Sequence, residues 1–369
     1  MKIAIIGVRG YPYVYGGYET FAKELSERLV KKNIEVTIYC HKNLFREYPQ
    51  NVNGINLVYI NTIEKKSLSQ FIHSFRSIVH ACFQNYDIIL VVNPANGPFG
   101  FITKLFRKKT AINVDGLEWL RPKWKGIGSK YFYLAAKLAT KLYDVIINDS
   151  RAMAEFYRKE FGVDSVVIEY GANIRYSKDI SLIKKRDLSQ YEYYLIVGRL
   201  IPDNNADIII REFLESKSNK KLVVVGDDPY GGEYANRMKL IRDPRIIFTG
   251  YINDQDELAE LYHNCFAYFH GHEFGGTNPA MLKAMAYGCA VIALDTPFNR
   301  EMCDGEKHAL YFSKETGVLK NLIEYVETNK HIIERMREIS RQRILENYTW
   351  EKITEKYISL FSYLLNKNN

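Results

Sequence analysis

The densest run of chemically capable residues is Phe269 to Gly288, FHGHEFGGTNPAMLKAMAYG. Its apolar start gives way to polar residues, passes two glycines and enters a helical pattern in which Thr277 or Asn278 suits the cap and Pro279 the first turn. Backbone N–H groups at Gly275, Gly276 and Thr277 would then form an anion cradle of the size of a diphosphate, with His270 and His272 beside it. A second run, VGRLIPDNN from Val197 to Asn205, puts Arg199 just past an apolar strand, where a guanidinium can grip a diphosphate in two-pronged fashion. A third, NVDGLEW from Asn113 to Trp119, offers the carboxylates of Asp115 and Glu118 for proton acceptance or for holding hydroxyl groups, although Asp before Gly is also a common turn pair. Near the start, Gly16 and Gly17 precede a helical pattern and let backbone approach a ligand closely, while Glu19 suits either a site or the helix dipole. The glycines of this first loop do not have dinucleotide G-x-G-x-x-G spacing, which argues against a nicotinamide enzyme. No His, Cys or carboxylate cluster has metal-ligand spacing, so phosphate charge falls to Arg199 and helix N-termini.

Positioning these residues requires strands that end where the polar runs begin. Short β-branched runs alternate with helical periodicity, the pattern of parallel sheets covered by helices. Strands are expected near 2–8, 35–40, 56–60, 87–93, 110–114, 145–149 and 166–170, then near 193–198, 221–226, 246–249, 266–270, 290–294 and 309–312. Helices fill the intervals, and everything after 312 reads as helix. The 369-residue length suits two α/β domains, residues 1–172 and 191–348, with the polar stretch 173–190 as linker. In that arrangement ligands bind at the carboxyl ends of the strands, in a cleft between the domains.

Five scattered cysteines without a C-x-x-C pair argue against a disulfide framework and suit a reducing cytoplasm. No stretch is apolar for long enough to span a membrane. The net charge of +8 is uneven: residues 1–172 hold 24 Lys+Arg against 15 Asp+Glu, hence +9. Residues 102–141 carry ten cations and two acids, interleaved with Phe106, Leu117, Trp119, Leu120, Trp124 and Phe132. Such a mixture suits an anionic membrane surface or, more plainly, a solvated basic face over a core. Nucleic acid is not expected, because no nucleic-acid-binding module is recognisable.

Taken together, GVRGYPYVYGGYETF, NVDGLEW, VGRLIPDNN, GHEFGGTNP, AMAYGCAVIALDTPFNRE and ENYTW resemble the retaining glycosyltransferase family 4 of GT-B fold, and within it the bacterial rhamnosyltransferase branch. The resemblance implies two Rossmann-like domains with a C-terminal helix, 349–369, returning to the first. It implies a cytoplasmic enzyme, peripheral on the inner face of the membrane, that moves L-rhamnose from dTDP-L-rhamnose onto a polysaccharide or a lipid-linked glycan of the undecaprenyl pyrophosphate type, as in cell-wall and capsule synthesis. No metal or other cofactor is implied. Asp115, Arg199 and His272 would be catalytic. Donor contacts would come from Gly16, Gly17, Arg199, Asn204, Asn205, Tyr251 and Ile252, and from Gly275, Gly276, Thr277, Asn278, Lys283 and Glu301. The acceptor side would fall to Tyr18, Glu19, Glu118 and Trp119. Three departures from the family pattern stand out: Asn204 and Asn205 stand in the region of its lysine after Gly-Arg-Leu, Gly275 replaces the first acid of its Glu-x7-Glu, and Lys283 replaces the second. A nucleotide-sugar epimerase of the same fold, or a catalytically weakened nucleotide-binding subunit, are the alternatives. Product analysis with donor alone separates the first, and tight nucleotide binding without turnover identifies the second.

Overall fold

The computed structural model describes all residues except 13–15, 64–65, 122–123, 125, 229–230 and 368–369, and the side chains of 66–67 are likewise not described. The chain forms two compact units, one of Met1–Tyr170 with Trp350–Asn369 and one of Gly171–Thr349. Each is built on a Rossmann-like sheet of parallel strands covered by helices.

In the first unit the strands are β1 (Lys2–Ile6), β2 (Glu35–His41), β3 (Asn51–Val52), β4 (Ile55–Ile60), β5 (Ile88–Val92), β6 (Thr110–Asn113), β7 (Val145–Asn148) and β8 (Val166–Val167). The helices are α1 (Gly17–Lys31), α2 (Lys66–Cys82), α3 (Gly100–Leu105), α4 (Ile127–Leu142) and α5 (Arg151–Phe161). Sheet order is β3-β4-β2-β1-β5-β6-β7-β8, parallel except for the β3–β4 hairpin. Strands buried on both faces read as unbroken apolar runs, such as IILVV in β5, whose five residues are all buried. The order reverses between β1 and β5, the point at which an open α/β sheet leaves a crevice. There Gly7 follows β1 with φ +106°, and a Cβ on it would stand 2.4 Å from the Val92 carbonyl oxygen, so only glycine lets the two strand ends approach.

The second unit contains α6 (Ser181–Lys184), β9 (Tyr193–Val197), α7 (Ala206–Glu215), β10 (Lys221–Val225), α8 (Glu233–Lys239), β11 (Ile246–Gly250) and α9 (Gln255–Asn264). It continues with β12 (Tyr268–His270), α10 (Pro279–Ala286), β13 (Val291–Leu294), α11 (Pro297–Met302), β14 (Ala309–Phe312), α12 (Val318–Thr328) and α13 (Lys330–Asn347). Its order, β11-β10-β9-β12-β13-β14, reverses between β9 and β12. The stretch 173–190, expected as linker, is part of this unit: it contains α6, and the Glu260 carboxylate on α9 accepts hydrogen bonds from Ser177 Oγ and from the backbone N–H of Lys178 and Asp179.

The terminal helix α14 (Trp350–Asn366) belongs to the first unit. Its buried stripe of Trp350, Ile353, Tyr357, Phe361 and Leu364 follows helical spacing. Phe21 of α1 meets Trp350 and Tyr357 at ring separations of 6.4 and 5.4 Å, and Arg28 pairs with Glu351 at 2.9 Å. The helical interval after β5 begins as a 3-10 turn, Pro94–Phe99, because Asn93 at φ +79° accepts from Ala95 N–H and bends the chain before α3.

Candidate functional site

In the second unit Arg199 follows β9 and His272 follows β12, so the strand-order reversal brings the two loops together. Asn204 joins them. Its Nδ2 donates to the Arg199 carbonyl at 2.7 Å, and its Oδ1 lies 2.8 Å from His272 Nδ1. With the amide nitrogen committed to a carbonyl, the oxygen must accept, so His272 donates from Nδ1. Asn205, with φ +49°, donates to the Gly271 carbonyl at 2.8 Å. A Cβ on Gly271 would stand 2.2 Å from the Asn204 carbonyl oxygen, which restricts this crossing to glycine. The Arg199 side chain is exposed and forms no ion pair among the described residues, leaving its charge for a ligand. His270, by contrast, is buried in the sheet, and burial pushes its pKa down to about 3.

The loop 271–278 leads into α10, whose cap is Asn278: its side chain accepts from Ala280 N–H at 2.9 Å, with Pro279 in the first turn. Gly275, Gly276 and Thr277 are buried, and Gly275 holds φ +134°. The Asn278 N–H points at Met302 Sδ, 3.1 Å away, and so is not part of an open cradle. Lys283 is mostly buried on α10. Burial, then the Arg175 guanidinium, holds its ammonium below the ordinary lysine range. No acid pairs with it among the described residues. Arg175 itself pairs with Asp256 and lines a cavity of ≈ 590 Å³ with Tyr176, Ser177 and Tyr287. Ile252 is buried and Tyr251 exposed after β11, and Glu301 lies on α11, its carbonyl accepting from Arg343.

In the first unit the Asp115 carboxylate, past the end of β6, is clamped by two phenols: Tyr18 donates to Oδ1, and Tyr170 donates to Oδ2 at 2.6 Å. Burial raises its pKa, while the Tyr170 and Tyr18 hydrogen bonds and the Arg121 charge oppose that rise. Asp115 therefore ties α1, β6 and the end of the unit into one polar knot. Glu118 is already engaged, pairing with Arg121 at 3.0 Å and accepting from Trp124 Nε1 at 2.7 Å. Trp119 is core, packed edge-on against Tyr133 and Tyr157, because its neighbour helices bring four rings around it. Glu19 is buried with Oε1 accepting from Arg9 N–H at 3.1 Å. Gly16 caps α1 in extended backbone without a side-chain bond, and Gly17 is exposed in the first turn.

Two residues of these knots escape sequence reasoning. Tyr170 sits on no recognisable motif. Asn299, inside the AMAYGCAVIALDTPFNRE run but singled out by no pattern there, is buried on α11, donates to the carbonyls of both His272 and Leu294, and completes the Thr296-Pro297 helix start. Among the described residues no group of three His, Cys, Asp or Glu is placed to hold a metal ion, and no helix is long and apolar enough to cross a membrane. Of the basic stretch, Lys123 and Lys125 lie outside the described residues, whereas Leu117, Trp119 and Phe132 prove to be core.

Residues 1–173 match a family model described as a domain of unknown function (DUF1972), and residues 179–343 match one described as glycosyl transferases group 1. A probable sucrose-phosphate synthase of Thermosipho melanesiensis is 22% identical over 94% of this chain and 90% of its own length. Among solved structures, sucrose-phosphate synthase from Thermosynechococcus elongatus superposes with a TM-score of 0.85 at 18% identity, covering 99% of each chain. HepE of Anabaena, in complex with UDP, gives 0.77 at 17% identity over 98% of this chain and 100% of that one. The two α/β units thus share the GT-B architecture of glycosyltransferases.

Proposed function

We propose, from the premise that residues 179–343 are a group 1 glycosyl transferase domain, that the chain moves a sugar from a nucleotide diphosphate donor to a hydroxyl acceptor with retained anomeric configuration. The observation that carries this reading is the Arg199–Asn204–His272 arrangement at the strand-order reversal, ahead of the start of α10. Retention without a covalent intermediate requires the acceptor hydroxyl to attack on the face from which the diphosphate leaves. The protein then has to stabilise the charge growing on the leaving phosphate, and an unpaired guanidinium supplies that. His272, its ring oriented through Nδ1 by Asn204, contacts a hydroxyl of the donor sugar. Asp115, already holding two hydrogen bonds, orients hydroxyl groups of the acceptor rather than taking a proton. No metal is assigned to the reaction.

The donor we assign is dTDP-L-rhamnose and the acceptor a lipid-linked glycan, supported by the motif resemblance and by Lys283. A ribose diol would want an acceptor group at this helix position, and a lysine is donor-only. A deoxyribose has one hydroxyl fewer to satisfy. The complex of HepE with UDP-glucose favours a second donor class, a uridine nucleotide sugar, with a sucrose-phosphate synthase type of acceptor. A panel of dTDP-L-rhamnose, UDP-glucose and other nucleotide sugars, read by nucleoside diphosphate release with and without acceptor, decides. Release from none of them would sink the transferase reading, and release from UDP-glucose alone would sink the rhamnosyl one.

A further inference from the structure

Lys283 and Tyr287 stand four residues apart at the end of α10, on one face and one turn from each other. Arg175 meets the same face from the start of the second unit. Its backbone N–H donates to the Ala286 carbonyl at 3.4 Å, and its guanidinium donates to the Tyr287 hydroxyl, to the Gln255 carbonyl at 3.3 Å and to Asp256. The Asp256 carboxylate is mostly exposed, so water screens its share of that pairing. Arg175 and Tyr287 both line the ≈ 590 Å³ cavity, which leaves the guanidinium open on one side.

Lys283 is mostly buried but not sealed off, and its ammonium has neither a hydrogen bond nor an ion pair among the described residues. Lys220 shows how this fold otherwise keeps a buried lysine charged: its Nζ donates to the Tyr191 carbonyl at 2.7 Å and to Glu192 at 2.9 Å. At Lys283 the nearest charge is a second cation, and burial and that cation both favour the neutral amine. A neutral amine is a nucleophile, and a position that disfavours an ammonium beside a guanidinium favours an anion there.

We propose that Lys283 is a carbon dioxide site: Nζ adds to CO2 to give a carbamate, which Arg175 holds on the face of α10 that carries Tyr287. The nitrogen lone pair forms the new N–C bond, one C=O pair moves onto oxygen, and one Nζ proton passes to water, so the neutral amine and CO2 give the N-carboxylate and H+. Neither an oxidant nor a cofactor takes part. A cation beside a cation becomes a carboxylate beside a guanidinium, the planar pairing that arginine makes best. The consequence rests on the donor reading above: a carbamate is the acceptor group that a ribose diol wants at this helix position and that the free lysine does not offer. Carbon dioxide would then set how tightly the site holds a uridine nucleotide, and would matter less to a deoxyribose with one hydroxyl fewer.

The test equilibrates the full chain with 13C-labelled bicarbonate, without nucleotide, and reads carbon NMR for a protein-bound carbamate. Wild type should show a resonance that grows as pH rises, because only the neutral amine reacts. Lys283→Gln and Lys283→Arg, each with an unchanged melting curve, should lack it, and Arg175→Ala should need about tenfold more dissolved CO2 for equal occupancy. A wild-type spectrum matching those of the two Lys283 variants overturns the proposal, since other amines or free bicarbonate would then account for every signal. Equal occupancy in Arg175→Ala overturns it as well. Calorimetry then compares UDP binding in CO2-free and CO2-equilibrated buffer: affinity should rise about tenfold for wild type and stay constant for Lys283→Glu, whose carboxylate is permanent. A carbamate that forms while UDP affinity stays still upholds the modification and removes the ribose from Lys283, so the two failures are told apart.

Discussion

Among the described residues no carboxylate pairs with Arg199, and its loop is fixed through its own carbonyl rather than through its side chain. Removing the guanidinium should therefore leave the fold untouched and remove charge stabilisation worth about 2 to 4 kcal/mol, or roughly 30- to 1,000-fold in turnover. Nucleoside diphosphate release by Arg199→Ala, beside an unchanged melting curve, checks this, and a wild-type rate would take Arg199 out of the mechanism. Lys283 is the second informative residue, because α10 buries its ammonium near a second cation rather than an anion. Replacing it by glutamate supplies a carboxylate that a ribose diol can use. Lys283→Glu should accordingly improve UDP binding more than dTDP binding, by about one hydrogen bond to a charged group, roughly 1.5 to 3 kcal/mol. Calorimetric titration of both nucleotides into both proteins measures the difference. Equal affinity of the wild type for UDP and dTDP, or an equal shift for both, removes Lys283 as the nucleotide discriminator.

Three elements converge on Asp115, and the clamp they make sets its protonation. Because burial raises its carboxyl pKa and Tyr170 pulls it back, Tyr170→Phe should raise it further. The ionised form is then lost at a higher pH as the solution is acidified, so the acid limb of the pH–rate profile should move to higher pH, with the plateau rate at alkaline pH little changed. An unmoved limb would show that Asp115 ionisation does not govern the rate. Much of this geometry can be read from the chain alone: Arg199 and His272 each follow an apolar run that has to be a strand, and a parallel sheet puts such ends on one side, while Asp115 likewise follows a strand of the other sheet. The partners cannot. Tyr170 lies 55 residues from Asp115 with no periodicity linking them, and Asn299 reaches His272 only after α11 has folded onto β13. Trp119 misleads for a related reason: aromatic residues in a motif look like a ligand platform until the rings of α4 and α5 are seen to enclose them.

At the scale of the whole molecule, the first unit is discontinuous in sequence and the second is continuous. Six buried side chains of α14, Trp350, Ile353, Tyr357, Leu360, Phe361 and Leu364, face the first unit. At about 1.5 to 3 kcal/mol for each large apolar side chain, an upper estimate, their burial rivals the roughly 5 to 15 kcal/mol by which a domain is stable. A fragment of residues 171–349 should fold and bind nucleotide alone, while 1–170 should fold only when 350–369 is supplied. In the intact chain Tyr357→Ala, which also takes the hydroxyl from Asn113 Nδ2 at 3.1 Å, should cost about 3 to 5 kcal/mol. Urea melts of the fragments and the variant check both statements, and a soluble, cooperative 1–170 would contradict them. The same discontinuity has a consequence in time. A ribosome makes the first eight strands early but cannot supply their last covering helix until the whole second unit has been made. At roughly 5 to 20 residues per second, the intervening stretch of about 180 residues takes roughly 10 to 40 s. Throughout that interval the nascent first half carries an apolar seam along α1 that only α14 can close, so it is during translation, before any substrate is met, that this chain most needs a chaperone.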